Sequence, residues 1–147
     1  MTDTRTGPVG LEQMICFDLY AANHAFGRVY QPLLEPLGLT YPQYLVMIQL
    51  WAEAPLRVGE IGQRLGLGSN TLTPLLKRLE AAGYVTRRRD TDDERRVSVD
   101  LTEAGRKLHA TADHIPGCVA RATGMTMAEL RALQAQLRRL SAELLHP

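Results

Sequence analysis

Between residues 11 and 34 the apolar positions Leu11, Met14, Ile15, Leu19, Ala22, Phe26, Val29 and Leu33 recur at steps of three and four. That period predicts a helix. Pro32 lies near its end, and the two prolines and glycine of "EPLGLTYP" break the pattern. A second helix is predicted over 43–54, apolar almost all round and therefore buried, ended by Pro55. Two short helices follow, over 58–65 and 69–82, joined through Gly66 and Gly68. Ser69 or Thr71 is the expected N-cap of the second, Gly83 its stop, and Pro74 is tolerable only near its start. Leu65, Leu67, Leu72, Leu75, Leu76 and Leu79 read as core. This pair has the form of a helix-turn-helix.

The period then changes. "YVTR" (84–87) and "RVSVDL" (96–101) are strand candidates, the latter alternating cleanly, and the charged tip "RRDTDDER" separates them. Strand, tip and strand after a helix-turn-helix is the layout of a winged helix, a mainly α fold with a small sheet. Residues 101–124 are predicted as one helix opened by Thr102 and interrupted at Pro116 and Gly117. The last begins with a capping box, Thr126 to Glu129. Its Leu130, Leu133, Leu137, Leu140 and Leu144 form a stripe suited to a helix bundle.

Composition narrows the class. The chain has 147 residues, one domain's worth, with 45% hydrophobic and 22% charged residues. No apolar run approaches a membrane span, and "MTDTRTGPVG" lacks the apolar stretch of a signal peptide, so a cytoplasmic location is expected. His24, His109, His114 and His146 are scattered, and Cys16 and Cys118 form no CxxC pair, so no metal or other cofactor is expected. The net charge of +1 hides an asymmetry: residues 57–107 hold eleven Lys/Arg against eight Asp/Glu. Basic charge gathered mid-chain points to a polyanion met there.

The helix-turn-helix gives that polyanion a form. Its second helix, entering a major groove, presents Ser69, Asn70, Thr71 and Thr73 near its N-terminus and Lys77 and Arg78 further along. Arg87, Arg88 and Arg89 are expected to contact phosphate at the first wing strand. Arg95 and Arg96 follow the acidic tip, where an arginine enters a narrow minor groove, and Asp93 is spaced to orient Arg95.

The stretch from "VGEIGQ" to "LTEAG" (58–105) resembles the winged-helix core of MarR-type transcriptional regulators. "MICFDLY" and "VYQPLLEPLGLTYPQYLVMIQLW" resemble their organic hydroperoxide resistance (OhrR) type. The resemblance covers about residues 11–147. It implies a homodimeric repressor in which helices at 11–36 and 102–147 build the dimer, while 42–101 carries the winged helix for a pseudopalindromic operator. It also implies that Cys16 senses organic hydroperoxide. Phe17, Leu19, Phe26 and Leu45 would make an apolar pocket, and Tyr20 lies one turn from Cys16 on the same face. Tyr30 and Tyr41 would donate hydrogen bonds to the cysteine of the same or the partner's site. Cys118 matches the resolving cysteine of the two-cysteine class, forming a disulfide with the partner's Cys16 and releasing DNA. Read from residues alone, Cys16 is first a small core hydrophobe, and Cys118 can be an unpaired helix cysteine. Two further functions stay open: a repressor released by a small aromatic ligand, and a thiol peroxidase turning over Cys16 and Cys118.

Overall fold

The computed structural model describes residues 7–146. The expected lack of an apolar leader over the first six residues, and the end of the single-domain span at Pro147, lie outside the described residues. A 3-10 turn, Leu11–Gln13, precedes α1 (Ile15–Leu34). The chain continues through α2 (Tyr41–Ala52), β1 (Leu56–Arg57), α3 (Val58–Leu65), α4 (Ser69–Ala81), β2 (Val85–Arg89) and β3 (Val97–Leu101). It closes with α5 (Glu103–Ala112), α6 (Ile115–Ala122) and α7 (Met127–Leu145). The fold is a winged helix: a helix-turn-helix, α3–α4, beside an antiparallel sheet of order β1-β3-β2. Among the described residues no helix is long and apolar enough to cross a membrane.

Several expected boundaries move, each for a local reason. The first helix is broken at Met14, whose backbone is extended (φ −101°, ψ 108°), so Cys16 sits in the first turn of α1 and not within a long helix. α2 starts two residues early because Thr40 and Gln43 form a reciprocal cap, Thr40 N donating to Gln43 Oε1 at 2.9 Å. α4 is capped by the backbone of Gly68, whose carbonyl accepts from Thr71 N and Leu72 N, and not by Ser69 or Thr71. It runs through Pro74, past its first turn; the carbonyl left without that N–H belongs to Asn70, an exposed residue. The helix expected over 101–124 is two helices, parted at Asp113–His114. Pro116 cannot donate to residue 112, so it starts a new helix in whose first turn it is tolerated.

The core centres on the winged helix and reaches Leu34 of α1, Ala112 of α5 and Ile115 of α6. Met47, Leu50, Ile61, Leu72, Leu76, Leu79, Val85 and Val99 are almost fully buried. Leu65 and Leu67 are half-buried at its edge, and α2 leaves Ile48 exposed. Gly105 locks α5 to the sheet. A Cβ there would strike the Tyr84 carbonyl, which accepts from Thr102 N, while Gly105 O accepts from Trp51 Nε1 at 2.9 Å.

The terminal helices differ. α1 buries only Leu34 and α7 buries nothing. Ile15, Phe17, Leu19, Tyr20 and Phe26 on α1, and Leu133, Leu137 and Leu144 on α7, are exposed. The chain presents 11030 Å2 of surface, against about 7,500 Å2 for a compact monomer of this size.

Candidate nucleic-acid interface and thiol site

α4 and the wing enclose an open cleft of about 920 Å3. Ser69, Thr73 and Lys77 line it from α4 at steps of four, the spacing of one helix face. Arg87, Arg89, Arg95 and Arg96 line it from the wing, and Arg57 and Gln63 from β1 and α3. The last two were not anticipated. A two-residue strand carries no periodic signal, so nothing in the sequence marked Arg57. Asn70, Thr71 and Arg78 are exposed on α4 but do not line the cleft.

The three consecutive arginines do not act alike, because successive strand residues face opposite ways. Arg87 is opposite Val99, on the core face. Its Nη2 donates to Glu80 Oε1 at 3.1 Å and its backbone N to Glu80 Oε2 at 3.1 Å. The hydrogen bonds from Arg87 hold the Glu80 carboxyl below its ordinary range. Arg87 is thus a tie between α4 and β2 rather than the free phosphate contact expected. Arg88 faces outward and Arg89 returns to the cleft side. At the tip, Asp93 Oδ1 accepts from Arg95 Nε at 3.2 Å and from its backbone N at 3.1 Å. Arg95 nevertheless has 91% of its side chain exposed, so Asp93 aims it outward. Asp93 Oδ2 lies 3.7 Å from Arg96 Nε.

The thiol site is only partly assembled within one chain. Cys16 is exposed, not a core residue, and among the described residues nothing hydrogen-bonds its sulfur. Phe17, Leu19 and Phe26 are exposed too, so the pocket expected around Cys16 is absent from the single chain. Tyr20 meets His24 at a tilt, with ring centroids 4.3 Å apart and planes 51° from parallel. Tyr30 packs against Tyr41 and Tyr44, at 4.7 and 5.9 Å. Burial, then the neighbouring Tyr41 and Tyr44, push the Tyr30 phenol up to about 12. Tyr30 stands fourteen residues beyond Cys16 on one helix, about 21 Å at 1.5 Å per residue. It cannot touch the Cys16 of its own chain.

Cys118 is half-buried in α6, and Arg121 Nη2 donates to its sulfur at 3.4 Å. Its neighbour Val119 shares an apolar hollow with Ala22, Phe26 and Val29 of α1. That stretch begins six residues, about 9 Å along the helix, beyond Cys16. The two cysteines are free.

Residues 28–111 match the family model described as transcriptional regulator SarA/Rot. The chain is 54% identical to the HTH-type transcriptional regulator TtmR of Methylorubrum extorquens, over 95% of this chain and 72% of that protein. It is 43% identical to the organic hydroperoxide resistance transcriptional regulator of Bacillus subtilis, over 86% of each. The structure of reduced AbfR bound to DNA superposes with a TM-score of 0.78 at 33% identity, over 92% of this chain and 95% of that one. These relatives are regulators, not enzymes, which removes the thiol peroxidase reading. The chain belongs to the SarA/Rot and MarR-like winged-helix family, and it is a DNA-binding transcriptional regulator.

Proposed function

We propose that this regulator is a homodimeric repressor, acting on a pseudopalindromic operator in the cytoplasm, that lets go of DNA when an organic hydroperoxide oxidises Cys16. The observation that carries the reading is the separation on α1. The thiol stands at one end, and a tyrosine cluster with nothing to act on in its own chain stands at the other. A partner helix running antiparallel brings the partner's Tyr30 and Tyr41 beside Cys16. It also covers the apolar faces of α1 and α7, an exposed area too large for a finished monomer. The helices at 11–36 and 102–147 are then the dimerisation region, and 42–101 the DNA-binding region.

The chemistry follows from the groups present. The first turn of α1 presents backbone N–H groups that favour an anion. The Cys16 thiolate attacks the hydroperoxide: an S–O bond forms, the O–O bond breaks, and the alkoxide leaves as alcohol after taking a proton. Phenols of Tyr30 and Tyr41 donate to the sulfur, and a Tyr30 pushed up to about 12 keeps its proton throughout the working range. The partner's Cys118 thiolate then attacks the sulfenic sulfur, an S–S bond forms, and hydroxide departs as water. Closing that disulfide moves α1 against α6, and the winged helices move with them. On the operator side, Ser69, Thr73 and Lys77 meet the major groove, Arg95 the minor groove and Arg89 phosphate. AbfR was solved on DNA both reduced and overoxidized, and a disulfide-formed AbfR was solved as well. That supports a DNA-bound reduced state and puts the release on the disulfide rather than on oxidation of Cys16 alone.

Operator binding before and after cumene hydroperoxide tests the reading. Cys16→Ser binds DNA and stays bound on treatment. Cys118→Ser still forms the sulfenic acid but yields no covalent dimer on a non-reducing gel. Release of the Cys16→Ser variant by peroxide would overturn thiol sensing. A second reading would then take over, release by a small aromatic ligand. It has its own observation, a hollow of about 330 Å3 walled by Tyr44, Ile48, Trp51 and His109, with the last two stacked at 5.0 Å.

A further inference from the structure

We infer that the outer face of the wing, built on the row Arg57–Ser98–Arg88, grips the phosphate backbone of duplex DNA lying beyond the operator half-site. This rests on the reading of the chain as an operator-binding dimer. Arg57 of β1 and Arg88 of β2 are both paired with Ser98 of β3, so the three side chains leave the same face of the sheet. The adjacent row, Leu56–Val99–Arg87, leaves the other face: Leu56 and Val99 are buried and Arg87 is tied to Glu80. Strand parity therefore turns Arg57 and Arg88 away from the core. Their backbones stand about 10 Å apart, two strand spacings, within reach for two long side chains converging across a small serine. Arg89 and Arg96 complete a hollow of about 250 Å3.

The hollow carries net positive charge: four arginines line it against one carboxylate, Asp90. Among the described residues Arg57, Arg88 and Arg89 have no ion-pair partner, whereas Arg96 lies 3.7 Å from Asp93 and Arg64, Arg87, Arg95 and Arg106 each have a partner. Guanidinium groups gathered in excess of carboxylates repel one another until an anion arrives. Their planar forks match phosphate oxygens, and the Ser98 hydroxyl adds a donor. Continuity identifies the anion. Arg57, Arg89 and Arg96 border both this hollow and the recognition cleft, making one cationic track from the cleft around the wing. The sheet packs on α2, α3, α4 and α5, whereas the proposed dimer uses the terminal helices. Each outer face in a dimer thus looks outward along the duplex, towards flanking DNA that any sequence supplies.

Two duplexes test this, after footprinting has delimited the operator: one trimmed at the edge of the wing footprint, one extended by a helical turn at both ends. Wild type should bind the extended duplex several-fold more tightly at moderate salt. The full-length Arg88→Ala dimer, which keeps the cleft-lining Arg57, should lose most of that advantage and match wild type on the trimmed duplex. On the extended duplex its affinity drop between 50 and 200 mM salt should shrink about three- to fourfold, the share of one phosphate contact. Arg88→Lys should retain most of the salt dependence. The Arg88 side chain is exposed, so melting should not change. Equal loss on both duplexes would mean that Arg88 touches the operator itself. Loss on neither would mean a solvated face or one for an acidic protein. Either result overturns the inference and leaves operator binding standing. Wild type with no operator preference would overturn the operator reading, and this inference with it.

Discussion

Two glycines of α3 allow a sharp test of how the helix-turn-helix is set. A Cβ added at Gly62 would sit 2.8 Å from the Leu67 carbonyl oxygen and 3.3 Å from Leu72 Cδ2. The first of these is backbone, held in the turn by Leu67 N donating to Gly62 O at 2.9 Å. It has no rotamer by which to yield. A Cβ at Gly59, one turn earlier on the same helix, meets nothing within 4 Å. Replacing glycine by alanine in a helix gains about 0.5–1 kcal/mol, and less in the first turn where Gly59 lies. Forcing a methyl into a packed contact costs about 1–3 kcal/mol. Gly59→Ala should therefore be neutral to slightly stabilising, and Gly62→Ala destabilising by about 1–2 kcal/mol. Thermal unfolding at matched protomer concentration should part the two by roughly 4–10 °C. Gly62→Ala should also weaken operator binding, since relief of the clash displaces the turn that aims α4. Two variants melting together would refute the claim that Gly62 fixes the approach of α3 to α4.

Tyr30 should be among the last tyrosines to ionise in an alkaline ultraviolet titration, near 12, and Tyr30→Phe should delete that step. Because its folded value is raised above the unfolded one, the folded state holds the extra proton between about 10 and 12. Stability should be intact below pH 10 and fall as pH climbs through that window. Arg95→Ala should leave melting unchanged and weaken operator binding in fluorescence anisotropy, by about tenfold if one minor-groove arginine is lost; unchanged affinity at moderate salt would refute a groove-inserted wing. Truncation before Thr126 should abolish the dimer in sedimentation. It removes a leucine stripe of which the single chain leaves Leu133, Leu137 and Leu144 exposed, and each such leucine buried against a partner is worth about 2 kcal/mol.

What the sequence determines here is what consecutive residues encode. The α3–turn–α4 pair is written in its leucine period and in Gly66, which ends α3 at φ 66°. The start of α7 is written in the reciprocal cap of Thr126 and Glu129, and the aim of Arg95 in an aspartate two residues away. Each depends on groups within one helical turn or one strand tip, so spacing alone suffices. Tertiary structure decides what spacing cannot carry. β1 is two residues long and exists because β3 offers it partners, and that pairing puts Arg57 beside Arg88. The run Arg87–Arg88–Arg89 reads as one basic patch until strand parity divides it into a tie to Glu80, an outer face and a cleft wall. Cys16 reads as a core position because its neighbours are apolar. Yet α1 packs chiefly on α2 and α6, and Ile15, Phe17, Leu19 and Phe26 of its apolar face stay exposed. A period of 3.6 shows that a helix has an apolar side; what covers that side is fixed by contacts between elements distant in the chain, and for α1 it is the second chain of the proposed dimer.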